Sequence, residues 1–181
     1  MKKTIIVLTA LLTLTACSIG NMENTPTQKV EQFLNKYQTL DDAVINDLDT
    51  TLSMDSTLNA EERKNYKEFM KKHYQDLEYE IKDETIDGDN ATVEVAITVR
   101  DYTNATAKAE DYKSDNKEKF NDENGEYNPT LFTSYRLDEL KKVTEKTTYT
   151  LNLTLIKQDG KWILNQLTDE DLNKINGLYN G

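Results

Sequence analysis

The sequence predicts an α+β domain: N-terminal helices packed on a curved antiparallel sheet built from two hairpins. A change of hydrophobic period carries the prediction. Apolar residues first recur at three-and-four spacing, the pattern of a helix that buries one stripe, and later alternate one-in-two, the pattern of half-buried strands. The alternating segments come in two pairs, each joined by a short turn containing glycine, so the strands of a pair run antiparallel. A sheet made this way has one apolar face, and the helices are the elements available to cover it.

The first helix is expected over residues 27–48. Val30, Phe33, Leu34, Tyr37, Leu40, Val44, Ile45 and Leu48 form one uninterrupted stripe there. Asn59 and Glu62 have capping-box spacing, in which each side chain bonds the other residue's amide, and they open a second helix with Tyr66, Phe69, Met70 and Tyr74 inward. Leu77, Tyr79 and Ile81 then alternate, Asp87-Gly88-Asp89-Asn90 turns the chain, and Val93, Val95, Ile97 and Val99 alternate on the return. Residues 103–128 are rich in Lys, Asp, Glu and Asn, which predicts an irregular segment with helical character around 107–120. Asn128-Pro129 pairs an N-cap with proline at the first helical position and opens a helix through Leu131, Phe132, Tyr135 and Leu140. A second hairpin follows, with Tyr149, Leu151, Leu153 and Leu155 inward, a turn at Asp159-Gly160, and a return over 161–167 that includes Trp162. Trp162 is expected where this hairpin meets the first helix. Thr168 and Asp171 form a capping box for a short last helix, with Leu167 placed to staple on Leu172.

The N-terminus has a different logic. Lys2 and Lys3 precede an apolar run over 4–14 and the small residues Thr15-Ala16, the three-part pattern of a secretory signal. The run is too short to cross a hydrocarbon layer of about 30 Å as a mature helix. Leu14-Thr15-Ala16-Cys17 resembles the bacterial lipobox, in which the cysteine thiol is diacylglycerylated and the bond before it is cut. The resemblance implies a signal over 1–16, a lipidated Cys17 with a tether over 17–25, and one domain over 26–181. It places the protein on the extracytoplasmic face of the cell membrane. One acyl chain holds a protein only marginally; two or three hold it firmly.

Cys17 is the single cysteine, so no disulfide forms and stability rests on a packed core. Without Lys2 and Lys3, 20 of the 22 basic residues face 33 acidic ones, a net charge of −13. That surface repels phosphate backbones and anionic headgroups, which excludes nucleic acid as a partner and leaves membrane attachment to the acyl chains.

Phe33-Leu34-Asn35-Lys36-Tyr37 in the first helix and Asp159-Gly160-Lys161-Trp162 in the last turn resemble pieces of NTF2-like domains found in small bacterial lipoproteins, a resemblance that spans residues 26–168. A cystatin-like helix-on-sheet fold is the nearest alternative. Either likeness implies a fold and not an activity.

Candidate chemistry is sparse. Asp101 shares parity with Val93, Val95, Ile97 and Val99, so a strand that ran on regularly would aim its carboxylate at the apolar side, the setting of a general base. If the strand ends by Arg100, Asp101 sits instead at a wet rim. His73 is the only histidine, and one histidine without available cysteines builds no ordinary zinc site; its place one residue off the Phe69, Met70 and Tyr74 stripe predicts a surface or half-buried side chain. Residues 115–124 carry acidic oxygens but lack the spacing of a calcium loop. The ten tyrosines read as core residues with wet hydroxyls. Glycine-rich phosphate loops, G-x-S-x-G and a Cys/His pair do not occur. No cofactor or metal is therefore expected. Two functions remain: a non-catalytic module binding a small ligand or an envelope protein, and a pocket enzyme of isomerase or hydrolase type using Asp101. An apolar cavity floored by Asp101 would favour the enzyme, and a filled space between helices and sheet would favour the binding module.

Overall fold

The computed structural model describes residues 24–181. The signal, Cys17 and most of the tether lie outside the described residues. Three helices come first: α1 (Pro26–Thr39), α2 (Asp42–Met54) and α3 (Ala60–Gln75). The hairpin β1 (Glu78–Asp87) and β2 (Asn90–Arg100) follows, then α4 (Thr103–Asp115), a 3₁₀ turn (Lys117–Phe120) and α5 (Pro129–Leu140). The second hairpin, β3 (Lys146–Gln158) and β4 (Lys161–Leu164), precedes α6 (Asp169–Ile175).

The strands form one open antiparallel sheet in the order β1-β2-β3-β4. The central pair is in register from Asn90↔Ile156 to Arg100↔Lys146, which sets Val93, Val95, Ile97 and Val99 beside Leu151, Leu153 and Leu155 on one face. All seven are at most 2 % exposed. Val30 and Leu34 of α1, Ile175 of α6 and Trp162 of β4 share that core, with Phe33 and Tyr37 packed against it. Trp162 thus sits where the sequence puts it, at the contact of the first helix with the second hairpin. The opposite face is polar, and Thr98 and Thr148 hydrogen-bond across it at 2.9 Å.

Three local expectations are revised. The single helix over 27–48 is two helices, because Leu40 takes a left-handed conformation at φ 55°. The amides of Leu40 and Asp41 bond back to Tyr37 and Lys36 carbonyls at 3.2 and 2.9 Å, a Schellman closure. The Asp41 carboxylate then accepts from the Ala43 amide at 3.0 Å and caps α2. The apolar stripe ran through this break because both helices face common neighbours, and periodicity registers burial, not continuity of the axis. Secondly, residues 103–115 form a regular helix. Its polar composition hid it, since it packs mainly through one small residue, Ala109, fully buried in a cluster with Phe120 and Phe132. Thirdly, β4 stops at Leu164 instead of reaching Leu167, although the Asn165 amide still reaches the Thr154 carbonyl at 2.9 Å.

The chain after α6 is pinned beneath the end of β2. The Tyr102 amide donates to the Gly177 carbonyl at 2.8 Å, and Gly177 adopts φ +68°. A Cβ built there would lie 1.9 Å from the Arg100 carbonyl oxygen, which is backbone and cannot swing aside. Gly177→Ala should therefore destabilise the domain by on the order of 2 kcal/mol or more. Urea unfolding measures it; a variant as stable as the parent would show that this approach is not tight in solution.

Candidate functional site

The space between α1 and the sheet is filled. An open cavity of about 570 Å³ lies elsewhere, among α2, α3, α4, α5, α6 and the end of α1. Two apolar clusters meet at it, one around Phe69, Tyr102 and Leu140 and one around Leu48, Leu52 and Tyr74, with Tyr66 and Met70 packed against both. These six cluster residues are buried and form its floor, whereas Asp47, Thr51, Leu172 and Leu178 are exposed and form its rim. The break at Leu40 matters here: it lets α2 start afresh and pack against α3 as a wall of the cavity.

The polar groups of the lining are few. The Tyr74 hydroxyl donates to Asn176 Oδ1 at 3.5 Å. Burial, with the Tyr37 phenol close by, pushes the pKa of Tyr74 far above its ordinary value. Burial raises Tyr102 to about 12 against the pull of Arg100, and burial with the Asp47 charge raises Tyr37. These phenols stay protonated at neutral pH and present uncharged hydroxyls to the cavity. Two other lining residues carry buried atoms without a hydrogen-bond partner among the described residues, Thr106 Oγ1 and Arg136 Nε. Neither was singled out by the sequence. The available signal was spacing: Arg136 lies midway between Phe132 and Leu140 at four-residue steps, a charge on an otherwise inward stripe.

Asp101 does not line this cavity. β2 ends at Arg100, and the Asp101 carboxylate accepts from the Thr103 amide at 3.0 Å and its hydroxyl at 2.5 Å, opening α4. Its oxygen closes a side-chain turn on the first residue of α4 at a half-exposed position, while the N-cap, Tyr102, makes no side-chain cap bond. His73 is 2 % exposed, not at the surface or half-buried as its place off the α3 stripe predicts, because α6 packs over it. Its Nε2–H donates to the Ile175 carbonyl at 2.8 Å, tying α3 to α6, and its Nδ1 is buried without a partner among the described residues. In residues 115–124 the Asp122 carboxylate accepts from the Asn124 and Glu126 amides at 2.8 and 2.9 Å, which closes a turn. Among the described residues no three His, Cys, Asp or Glu side chains cluster to hold a metal ion.

His73 gives the fold a pH dependence of definite sign. Burial lowers its pKa, outweighing the Ile175 carbonyl and the Asp76 charge, which raise it, while Arg100 lowers it further. The unfolded chain therefore binds a proton more readily than the folded one, and stability falls as pH drops below the free histidine value of about 6.5. Melting temperature followed between pH 8 and pH 5.5 should decline in the parent and decline less in His73→Gln. Parallel profiles would refute this linkage.

The described domain pairs an α+β fold with an open cavity lined largely by apolar side chains of its helices. Residues 1–18 match the family model of the prokaryotic membrane lipoprotein lipid attachment site. That match marks a lipid-anchored, membrane-associated lipoprotein. Among the described residues no helix is long and apolar enough to cross a membrane. Among solved structures the chain is similar to a Bacillus subtilis protein designated a lipoprotein (ycdA), with 16 % identity and a TM-score of 0.44 over 86 % of this chain and 47 % of that one. The chain spans about half the length of that protein. No curated protein matches it.

Proposed function

We propose that this lipoprotein works on the extracytoplasmic face of the membrane as a non-catalytic binding module, and that the cavity among its helices receives a small, largely apolar ligand. The observation that carries the reading is the cavity itself: its volume of about 570 Å³ falls within the range of about 300–1,000 Å³ usual for small-molecule sites, and its floor is aromatic and aliphatic with few polar groups. The alternative, a pocket enzyme using Asp101, has less support because that carboxylate is outside the cavity and committed to the start of α4. One face of an antiparallel meander covered by α1 supports assignment to the NTF2-like or cystatin-like group of folds.

The test uses the full lipidated chain in lipid nanodiscs, with empty nanodiscs subtracted. Calorimetric titration with decanol or 1-naphthol should show saturable binding. Met70→Trp, which fills the cavity from α3, should weaken it at least tenfold while the far-ultraviolet spectrum is kept, and Asp101→Asn should leave it unchanged. Absence of saturable binding, or equal binding by Met70→Trp, would overturn the proposal.

A further inference from the structure

Resting on the ligand reading above, we propose that the occupant of the cavity is a monocarboxylate with an apolar body, its carboxylate held by Arg136 and Thr106. Arg136 stands on α5 one turn before Leu140, and Thr106 stands on α4 one turn after Tyr102. The two helices pack on each other, so both polar side chains belong to one wall of a cavity whose floor is otherwise apolar. Arg136 Nε and Thr106 Oγ1 are buried without partners among the described residues. A buried donor left unpaired is costly, and since these two atoms are closed off from the open cavity, an acceptor brought by a ligand removes that cost as the side chains turn towards it. The guanidinium forms no salt bridge among the described residues, although its charge reaches the Asp55 carboxylate beyond ion-pair distance; its ring contact is with Phe132, 5.8 Å from the centroid.

Carboxylate is the anion this wall suits. A planar guanidinium offers a fork of donors that a carboxylate matches with two oxygens, and a threonine hydroxyl can supply a third donor. The wider charge of the protein narrows the class further. With 33 acidic residues against 22 basic ones, the chain disfavours multiply charged anions at long range, so one local cation suits one negative charge backed by apolar surface. Asp47 at the exposed rim on α2 would repel a carboxylate left there, which favours the head at the α4–α5 wall. The floor of Leu48, Leu52, Phe69 and Tyr74 then takes the apolar body.

Decanoate and decanol, which share a chain and differ in the head, decide the matter. Titrated at pH 8 into the lipidated protein in nanodiscs, decanoate should bind at least tenfold more tightly than decanol. Arg136→Met should weaken decanoate at least tenfold and change decanol less than twofold, Thr106→Val should weaken decanoate several-fold, and Arg136→Lys should keep most of the preference. Should Arg136→Met fail to fold, carbon-13 NMR of carboxyl-labelled decanoate on the parent protein replaces it: the bound carboxylate should titrate at a lower pH than free decanoate. Equal binding of acid and alcohol, equal losses of both in Arg136→Met, or an unmoved titration midpoint would overturn the carboxylate assignment while leaving the ligand cavity standing. Binding of neither compound would overturn both.

Discussion

Replacing Trp162 with alanine should cost the folded domain about 3–5 kcal/mol, the usual loss for truncating a buried tryptophan in a packed core. Trp162 is 6 % exposed and belongs to the cluster that joins α1 to the central strands through Val30, Leu34 and Leu155. β4 contributes few residues to the sheet, so its attachment depends heavily on this side chain and its contact with α1. The Lys157 ammonium also lies 5.4 Å from the Trp162 ring and would lose that contact. For a domain of this size each kcal/mol moves the melting temperature by about 2–4 °C, so the midpoint should fall by roughly 10 °C. Phe33 packs on the same core but is only half-buried, with an edge-on contact to Tyr37 at 5.3 Å, so Phe33→Ala should fall less. Thermal unfolding of both variants checks the arrangement, and midpoints within one degree of the parent for both would contradict it.

Cys17→Ser should abolish lipid attachment altogether. The thiolate is the nucleophile that accepts the diacylglyceryl group, and a serine hydroxyl at the same place is far less nucleophilic. Cleavage in front of the residue follows lipid transfer, so the variant should accumulate as the uncut precursor and carry Lys2, Lys3 and the apolar run over 4–14. Metabolic labelling with a fatty-acid analogue, read beside the mass of the product, reports both steps. Equal labelling of the parent and Cys17→Ser would show that the lipid is carried elsewhere. The cavity lies in the domain beyond the tether, so its ligand binding should not depend on the anchor.

Much of the fold was legible because its signals are local. Asn59 with Glu62 and Thr168 with Asp171 make the capping boxes their spacing announces, and Asn128 caps α5 in front of Pro129. The alternations in β2 and β3 were legible because one face of each strand is fully buried, and the register pairs those faces residue by residue. The break at Leu40 was not legible. A left-handed leucine is costly, glycine is the residue expected there, and only the shared burial of α1 and α2 sustains it. α4 was legible only as helical character around 107–120, not as a regular helix over Thr103–Asp115, for a related reason: Ala109 has too little apolar surface to mark a stripe, yet it fits where Phe120 and Phe132 close over it.

The sequence by itself determined the lipid-attachment signal of this protein and the identity of its core: the signal is a linear pattern within residues 1–18, and hydrophobic period depends only on which residues must leave water. The tertiary structure alone decided where the open space lies. The cavity draws its lining from Tyr37 to Leu178, on every helix and on the segments before α4 and after α6, and no local spacing records that convergence. It also decided the roles of Asp101 and Arg136. One residue where β2 ends was enough to put the first into the turn that opens α4, and the packing of α4 on α5 left the half-buried second with its Nε unpaired among the described residues, beside an apolar hollow. Burial and pairing are properties of the neighbours a side chain finds, and those neighbours are distant in the chain.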